Sequence, residues 1–236
     1  MHSNTNHVDL ENLLETEDYL VQCDRTSFSS DVHRAVVSFT GIGLSTGGIQ
    51  RAEFLKSSGE GSALFVVTDK HRTWGNSLDV ARISQTIIER ASGRPIHTLG
   101  NSMGGFLSIL FSSPLRAVSS ISFAGQYSVH PNIVPRENRW SGYRSKINRW
   151  WYPSLEGHFN RVTNYTTING QHGDRRQWSK YPKLPNARHY VYPGVGHDVA
   201  KRLKEDGTLY EIIEWAFSSA WPQHDVPSNC LRQRDR

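Results

Sequence analysis

Short apolar runs alternate with amphipathic stretches along most of this 236-residue chain. Seven runs are rich in apolar residues, and because most are too short to be helices they predict strands. These runs are Tyr19–Cys23, Arg34–Phe39, Ala63–Thr68, Ile96–Gly100, Ser119–Ala124, Tyr165–Asn169 and Arg188–Tyr192. Strands that alternate with helices form a mainly parallel central sheet flanked by helices. The pattern therefore predicts an α/β fold.

Two amphipathic helices are predicted among these strands. Leu78–Ala91 places Val80, Ile83 and Ile87 on one helical face, and the pattern stops at Gly93 and Pro95. A second set of apolar residues recurs at helical spacing near the C-terminus. Its members are Leu209, Ile212, Ile213, Ala216 and Phe217. Each helix has an apolar face that can pack on the sheet.

The segment from Gly125 to Arg161 interrupts the alternation and is rich in tryptophan, proline and arginine. So long an insertion is uncommon in an α/β domain unless it forms a lid or a binding element. We predict an N-terminal arm and first strand over residues 1–33, followed by one α/β domain over residues 34–236. A cap-like insertion occupies about 125–161 of that domain.

The cap supplies candidate substrate-binding residues. Trp140, Trp150 and Trp151 can present flat faces to a sugar ring or an acyl chain, and Arg144 favours an anionic substrate. The alternative is that these aromatic residues hold the insertion on the core, while its arginines only solvate the surface.

Charge and cysteine content narrow the class of protein. The formal charge is +5, but lysine and arginine are spread along the chain without a basic block, so we expect no nucleic-acid partner. Cys23 and Cys230 are too few for a disulfide framework. Residues 1–17 are polar, and no apolar run is long enough for a membrane span. We expect a soluble cytoplasmic protein with a loose N-terminal arm and leave its oligomeric state open.

The first catalytic signal is a Gly-x-Ser-x-Gly pattern at Gly100–Gly104. A predicted strand enters it, and a plausible helix, Met103–Phe111, leaves it. Such a strand-to-helix turn strains the serine and lifts its oxygen above the strand ends. The context predicts that Ser102 is a nucleophile and that the N–H of Met103 faces a developing oxyanion. The alternative is a chance match to a short pattern.

A serine nucleophile needs a histidine base and a carboxylate that orients it. His197 lies in a glycine-flanked loop after the last predicted strand, and Asp174 lies in the loop after the preceding one. We predict these two as base and acid. His172, His189 and Asp198 are weaker candidates, and an exposed loop histidine or a turn-forming aspartate remains the alternative reading.

A second oxyanion donor is expected in a glycine-rich loop after an early strand. Phe39–Gly43 occupies that position, so the N–H of Gly41 or Ile42 is the candidate, with a purely structural turn as the alternative.

With the Gly41–Gly43 loop, the Gly100–Gly104 turn, Asp174 and His197, the chain from about Arg34 to Ala216 resembles the α/β-hydrolase superfamily. The resemblance implies that fold, ester- or amide-cleaving chemistry and these site residues, without fixing a substrate. Thr40 stands where the lipase branch has the histidine of its His-Gly-Gly-Gly motif, which argues against that branch.

Together these features predict a serine hydrolase that cleaves a carboxylic ester, a small molecule or an acylated sugar, through an acyl-enzyme on Ser102. No metal or organic cofactor is implied, because no ligand cluster or phosphate loop is visible. Two alternatives stay open. An acyltransferase would pass the same acyl group to an alcohol or amine, and a non-catalytic binding protein would keep only the fold.

Overall fold

The computed structural model describes residues 8–25, 31–43, 49–55, 61–218 and 225–234. Nine strands in these ranges form a single sheet in the order β1-β2-β4-β3-β5-β6-β7-β8-β9. Their bounds are β1 Leu10–Glu15, β2 Tyr19–Asp24, β3 Arg34–Phe39, β4 Ser62–Asp69, β5 Ile96–Asn101, β6 Ser119–Phe123, β7 Asn164–Gly170, β8 Ala187–Tyr192 and β9 Arg232–Gln233. All seven predicted strands are present, each within one residue of its predicted bounds.

The six central strands are parallel, and they lie in the order β4, β3, β5, β6, β7 and β8. Strands β1, β2 and β9 pair antiparallel at the two edges. The mainly parallel α/β architecture is therefore confirmed. Because parallel strands run in the same direction, the loops that follow the central strands all lie at the carboxyl ends of these strands, on one side of the sheet.

Helices cover both faces of the sheet. Their bounds are α1 Val80–Ala91, α2 Met103–Leu110, α3 Ser141–Arg144, α4 Arg175–Trp178, α5 Val199–Glu205 and α6 Leu209–Phe217. One core cluster contains Val37 with α1 and α2, and a second contains Val36 with α5 and α6. Neighbouring residues of β3 thus serve opposite faces, as a pleated strand requires. Among the helices described here, none is long and apolar enough to cross a membrane.

The expectation of a loose arm before Tyr19 is wrong for part of that segment, since Leu10–Glu15 forms β1. This strand pairs with β2, and its register shifts between Asn12 and Leu14. It is the edge strand of the sheet, and its charged residues Glu11 and Glu15 discourage pairing with another chain. That placement explains why the sequence shows little apolar alternation here.

The segment between β6 and β7 has a single short helix, α3, and is otherwise irregular. It packs on the first core cluster through Val129, Ile147 and Leu155, all of them buried. Asn76, in the loop after β4, holds it from the side, since its Oδ1 accepts a 2.8 Å hydrogen bond from the N–H of Tyr152. The insertion is thus anchored to the domain along its length.

Candidate active site

Ser102 lies in the sharp turn between β5 and α2. Its backbone has φ 57° and ψ −118°, a conformation that residues with side chains rarely adopt. A Cβ on Gly100 would lie 2.1 Å from the carbonyl oxygen of Gly104, and one on Gly104 would lie 2.2 Å from that of Phe39. Only glycine fits such close backbone approaches. The Gly-x-Ser-x-Gly pattern therefore marks two tight backbone contacts around a strained serine.

The loops after β5, β7 and β8 bring Ser102, Asp174 and His197 together. Nε2 of His197 lies 2.9 Å from Oγ of Ser102. Nδ1 of the same ring lies 3.0 Å and 3.2 Å from the two carboxylate oxygens of Asp174. An ionised carboxylate only accepts, so Nδ1 carries the ring proton and Nε2 is left to accept the serine hydrogen. This is the arrangement that activates a serine.

The weaker candidates lie outside this line of contacts. His172 and Asp198 are exposed. The ring of His189 is bonded on both sides, to Thr167 Oγ1 at 2.8 Å and to the carbonyl oxygen of Pro182 at 2.9 Å. Burial lowers the pKa of His189 to about 4, so this histidine is a neutral packing residue.

A side-chain network from the insertion holds the buried carboxylate of Asp174. Nη1 of Arg139 donates to Asp174 Oδ1 at 2.8 Å, and two other guanidinium nitrogens donate to Glu137 at 2.8 Å and 2.6 Å. Gln177 donates to Glu137 at 3.0 Å and to the carbonyl oxygen of Ser128 at 2.9 Å. Burial raises the pKa of Glu137, but hydrogen bonds from Arg139 and Gln177 and the guanidinium charge outweigh burial and hold it below its ordinary value. Arg139 thus joins the insertion to Asp174.

The loop after β3 carries the two N–H groups predicted as alternative oxyanion donors, those of Gly41 and Ile42. The N–H of Gly41 donates to Oε1 of Glu53 at 3.1 Å. Across the described ranges, the N–H groups of Ile42 and Met103 have no hydrogen-bond partner. Burial raises the pKa of Glu53 to about 7, and the bond from Gly41 offsets only part of that effect. Of the two alternatives for this loop, Gly41 is already engaged and Ile42 is available.

Two of the predicted substrate-binding tryptophans are placed differently. The ring of Trp140 lies 5.7 Å from that of His197, between centroids, and only 7% of the residue is exposed. Its Nε1 is buried without a partner among the described residues. Trp150 instead packs on the first core cluster and contacts His130 edge-on, with ring centroids 4.8 Å apart. Trp140 alone of this pair borders the histidine.

The other two predicted substrate-binding residues make contacts within the insertion. Trp151 is 57% exposed, and the guanidinium of Arg149 stacks 3.5 Å from its ring centroid. Arg144 donates to the carbonyl oxygen of Glu137. The expectation that Arg144 attracts an anionic substrate has no support in this arrangement, because the guanidinium is bonded inside the insertion.

Comparison with known proteins identifies the fold. No family model matches the sequence, and no curated protein does either. Among solved structures, the capsule O-acetyltransferase of Neisseria meningitidis serogroup A superposes with a TM-score of 0.58 at 14% identity, covering 89% of this chain and 97% of that one. An α/β serine hydrolase without a lid from Xanthomonas campestris gives 0.54 at 13% identity, covering 90% and 96%. The chain has the α/β-hydrolase fold.

A carboxylesterase from Bacillus subtilis shares this α/β-hydrolase fold, with a TM-score of 0.52 at 12% identity over 89% of this chain and 92% of that one. Identities this low establish the fold and leave the reaction to be argued from the site.

Sequence reasoning missed one buried side chain that touches Ser102, the candidate nucleophile. Gln126, in the loop after β6, donates from Nε2 to Oγ of Ser102 at 3.0 Å. Its Oε1 accepts from Nε1 of Trp74 at 3.1 Å. No spacing rule links Trp74, Gln126 and Ser102, and the one available signal is that each follows a parallel strand.

Proposed function

We propose that this chain is a serine hydrolase that cleaves carboxylic esters through an acyl-enzyme on Ser102. The observation that carries the proposal is the unbroken line of contacts from Ser102 Oγ through both nitrogens of His197 to Asp174, at 2.9 Å and 3.0 Å. A strained serine, a ring with its acceptor nitrogen on the hydroxyl and a buried carboxylate behind it together meet the needs of nucleophilic catalysis.

In the proposed reaction, Oγ of Ser102 forms a bond to the ester carbonyl carbon while its proton moves to Nε2 of His197. The carbonyl electron pair moves to the oxygen, and Asp174 stabilises the imidazolium through Nδ1. Collapse of this intermediate breaks the bond to the alcohol, which leaves with the proton from His197. Water then repeats the sequence on the acyl-enzyme and releases the carboxylic acid.

The developing oxyanion needs donors that are not already engaged. We assign this role to the N–H groups of Ile42 and Met103, since neither has a partner within the described residues, whereas Gly41 donates to Glu53. Met103 is the first residue of α2, so its N–H also lies at the positive end of a helix dipole.

Trp140 is our candidate for substrate contact, supported by its position beside the ring of His197. Exposed Trp151 is a matched control in the same insertion. Trp140→Ala should change the relative kcat/KM for small and bulky esters several-fold, roughly the effect of reshaping an apolar pocket. Trp151→Ala should leave it unchanged. A lower Tm for Trp140→Ala with unchanged ester preference would make Trp140 a core residue only.

Two other functions would use the same fold: transfer of the acyl group to an alcohol or amine, and binding without catalysis. Proteins described as an O-acetyltransferase and as a carboxylesterase share this fold, so the fold does not separate water from an alcohol as the acceptor. Product analysis with competing alcohols and sugars distinguishes these two reactions.

The decisive activity test is hydrolysis of an aryl acetate by the wild type and by Ser102→Ala. The substitution removes one buried oxygen, so the variant should fold normally while turnover falls by about a thousandfold or more. Retention of more than about a tenth of the wild-type rate by a folded variant would show that Ser102 is not the nucleophile.

A further inference from the structure

A glutamine that no sequence motif marks contacts the candidate nucleophile. Gln126 follows β6 and is fully buried, and its Nε2 lies 3.0 Å from Oγ of Ser102. The other end of its amide, Oε1, lies 3.1 Å from Nε1 of Trp74, which is also fully buried. Water cannot replace either contact readily, so the amide is fixed between the indole and the hydroxyl.

The indole fixes which end of the amide faces Ser102. An indole nitrogen can only donate, so the atom opposite Nε1 of Trp74 must be the amide oxygen. The NH2 group of Gln126 therefore faces Ser102, and Oγ accepts its hydrogen. The single hydroxyl hydrogen of Ser102 is then left for Nε2 of His197, 2.9 Å away. The indole N–H of Trp74 thus orients the amide of Gln126, and the amide N–H in turn orients the O–H of Ser102.

The loop that carries Trp74 is itself held by a buried carboxylate. Oδ2 of Asp69, at the end of β4, accepts hydrogen bonds from the N–H and the hydroxyl of Thr73 at 2.8 Å and 2.9 Å, and from the N–H of Gly75 at 3.1 Å. Trp74 sits between these residues with φ 52°, which a non-glycine residue keeps only where its surroundings impose it. The indole is therefore a fixed anchor for Gln126.

We propose that Gln126 is a further catalytic residue, resting on the proposed serine mechanism. Its N–H holds the Ser102 hydroxyl in the orientation that points the hydrogen at His197. It also stabilises the negative charge that grows on Oγ as that hydrogen leaves and the bond to the carbonyl carbon forms. The proton passes to His197 alone, and Gln126 neither gains nor loses one. Trp74 is a positioning residue that acts through Gln126.

The test measures how fast a fluorophosphonate labels Ser102, a reaction that forms the Oγ–phosphorus bond and releases fluoride, so no substrate need be known. Gln126→Met keeps a straight side chain of similar size without the donor, and labelling should slow about ten- to a hundredfold. Gln126→Glu, whose ionised carboxylate accepts the serine hydrogen instead, should be slower still. Trp74→Phe should slow labelling about three- to tenfold.

Two comparisons separate this role from general damage. Trp178→Phe removes an indole N–H that donates to the carbonyl oxygen of Gly170 instead, at 3.2 Å, and should label within about twofold of the wild type. Trp74→Phe added to Gln126→Met should slow labelling no further, because Trp74 acts through an amide that is already gone. Melting temperatures confirm that each variant is folded.

The outcomes distinguish the two proposals. Labelling that Ser102→Ala abolishes but Gln126→Met leaves at or above the wild-type rate would overturn the role of Gln126 while the serine mechanism stands. Absence of labelling in the wild type would overturn both. Equal slowing by Trp74→Phe with and without Gln126 would overturn the connection between them, and if Gln126→Met does not fold, Gln126→Glu and Trp74→Phe decide the question alone.

Discussion

The nucleophile half of the candidate site, around Ser102, and its acid half, around Asp174, are built in different ways. Ser102 is held by backbone, because β5, a strained turn and α2 meet at two glycines where a Cβ would lie 2.1 Å and 2.2 Å from carbonyl oxygens. Asp174 is held by side chains, through Arg139 from an irregular insertion and, behind it, Glu137 and Gln177. Backbone sterics leave a short sequence pattern, whereas a side-chain network among distant residues leaves none.

The largest expected effect is on the acid itself. Asp174→Asn should keep the geometry but lose the charge that holds the ring of His197 in its productive tautomer, so kcat should fall steeply, yet by less than in Ser102→Ala, because the oxyanion donors survive. Asp198→Asn, which changes the exposed neighbour of His197, should alter kcat less than about twofold. Steady-state kinetics on an aryl acetate compares the two. The reverse order would show that Asp174 is not the catalytic acid, and the contrast between the two halves would no longer hold.

Breaking the network behind the acid should have a smaller effect. Arg139→Gln removes one donor to Asp174 and leaves buried Glu137 without its cation, so kcat should fall about tenfold and Tm should drop. Arg149→Gln is the matched control, because that guanidinium stacks on exposed Trp151 instead. Equal behaviour of the two variants would mean that the insertion does not support the acid.

The smallest expected effect concerns Glu53 in the nucleophile half. Burial raises its pKa from 4.5 to about 7, so the folded state binds this proton more tightly than the unfolded chain does. The contribution of this protonated carboxyl to the free energy of unfolding is fully present below pH 4.5 and is lost as the pH rises through 7. Between pH 5 and 8, about the range where this proton is released, the Tm of Glu53→Gln should therefore decline less than that of the wild type.

Glu211→Gln, at an exposed position of α6, is the control for this pH series. Parallel Tm curves for the wild type and Glu53→Gln would show that the Glu53 carboxyl does not titrate in this range.

The regular parts of the molecule could be predicted from the sequence. Central strands such as Arg34–Phe39 are buried on both faces and are mainly apolar in sequence. Edge strand Leu10–Glu15 was missed because its polar side chains hide the alternation. Gln126 and Glu53 were not predicted as parts of the site, because their partners are 24 and 12 residues away in sequence and no periodicity relates them.

Trapping the acyl group tests the central claim most directly. Wild-type protein mixed with an aryl acetate and quenched in acid within the first turnover should gain one acetyl group, which peptide mass spectrometry should locate on Ser102. Asp174→Asn, with slowed turnover, should yield the same peptide, and Ser102→Ala should yield none. An acetyl group found on another residue, or an unmodified Ser102 during measurable hydrolysis, would contradict the assignment of Ser102, His197 and Asp174 as the catalytic set.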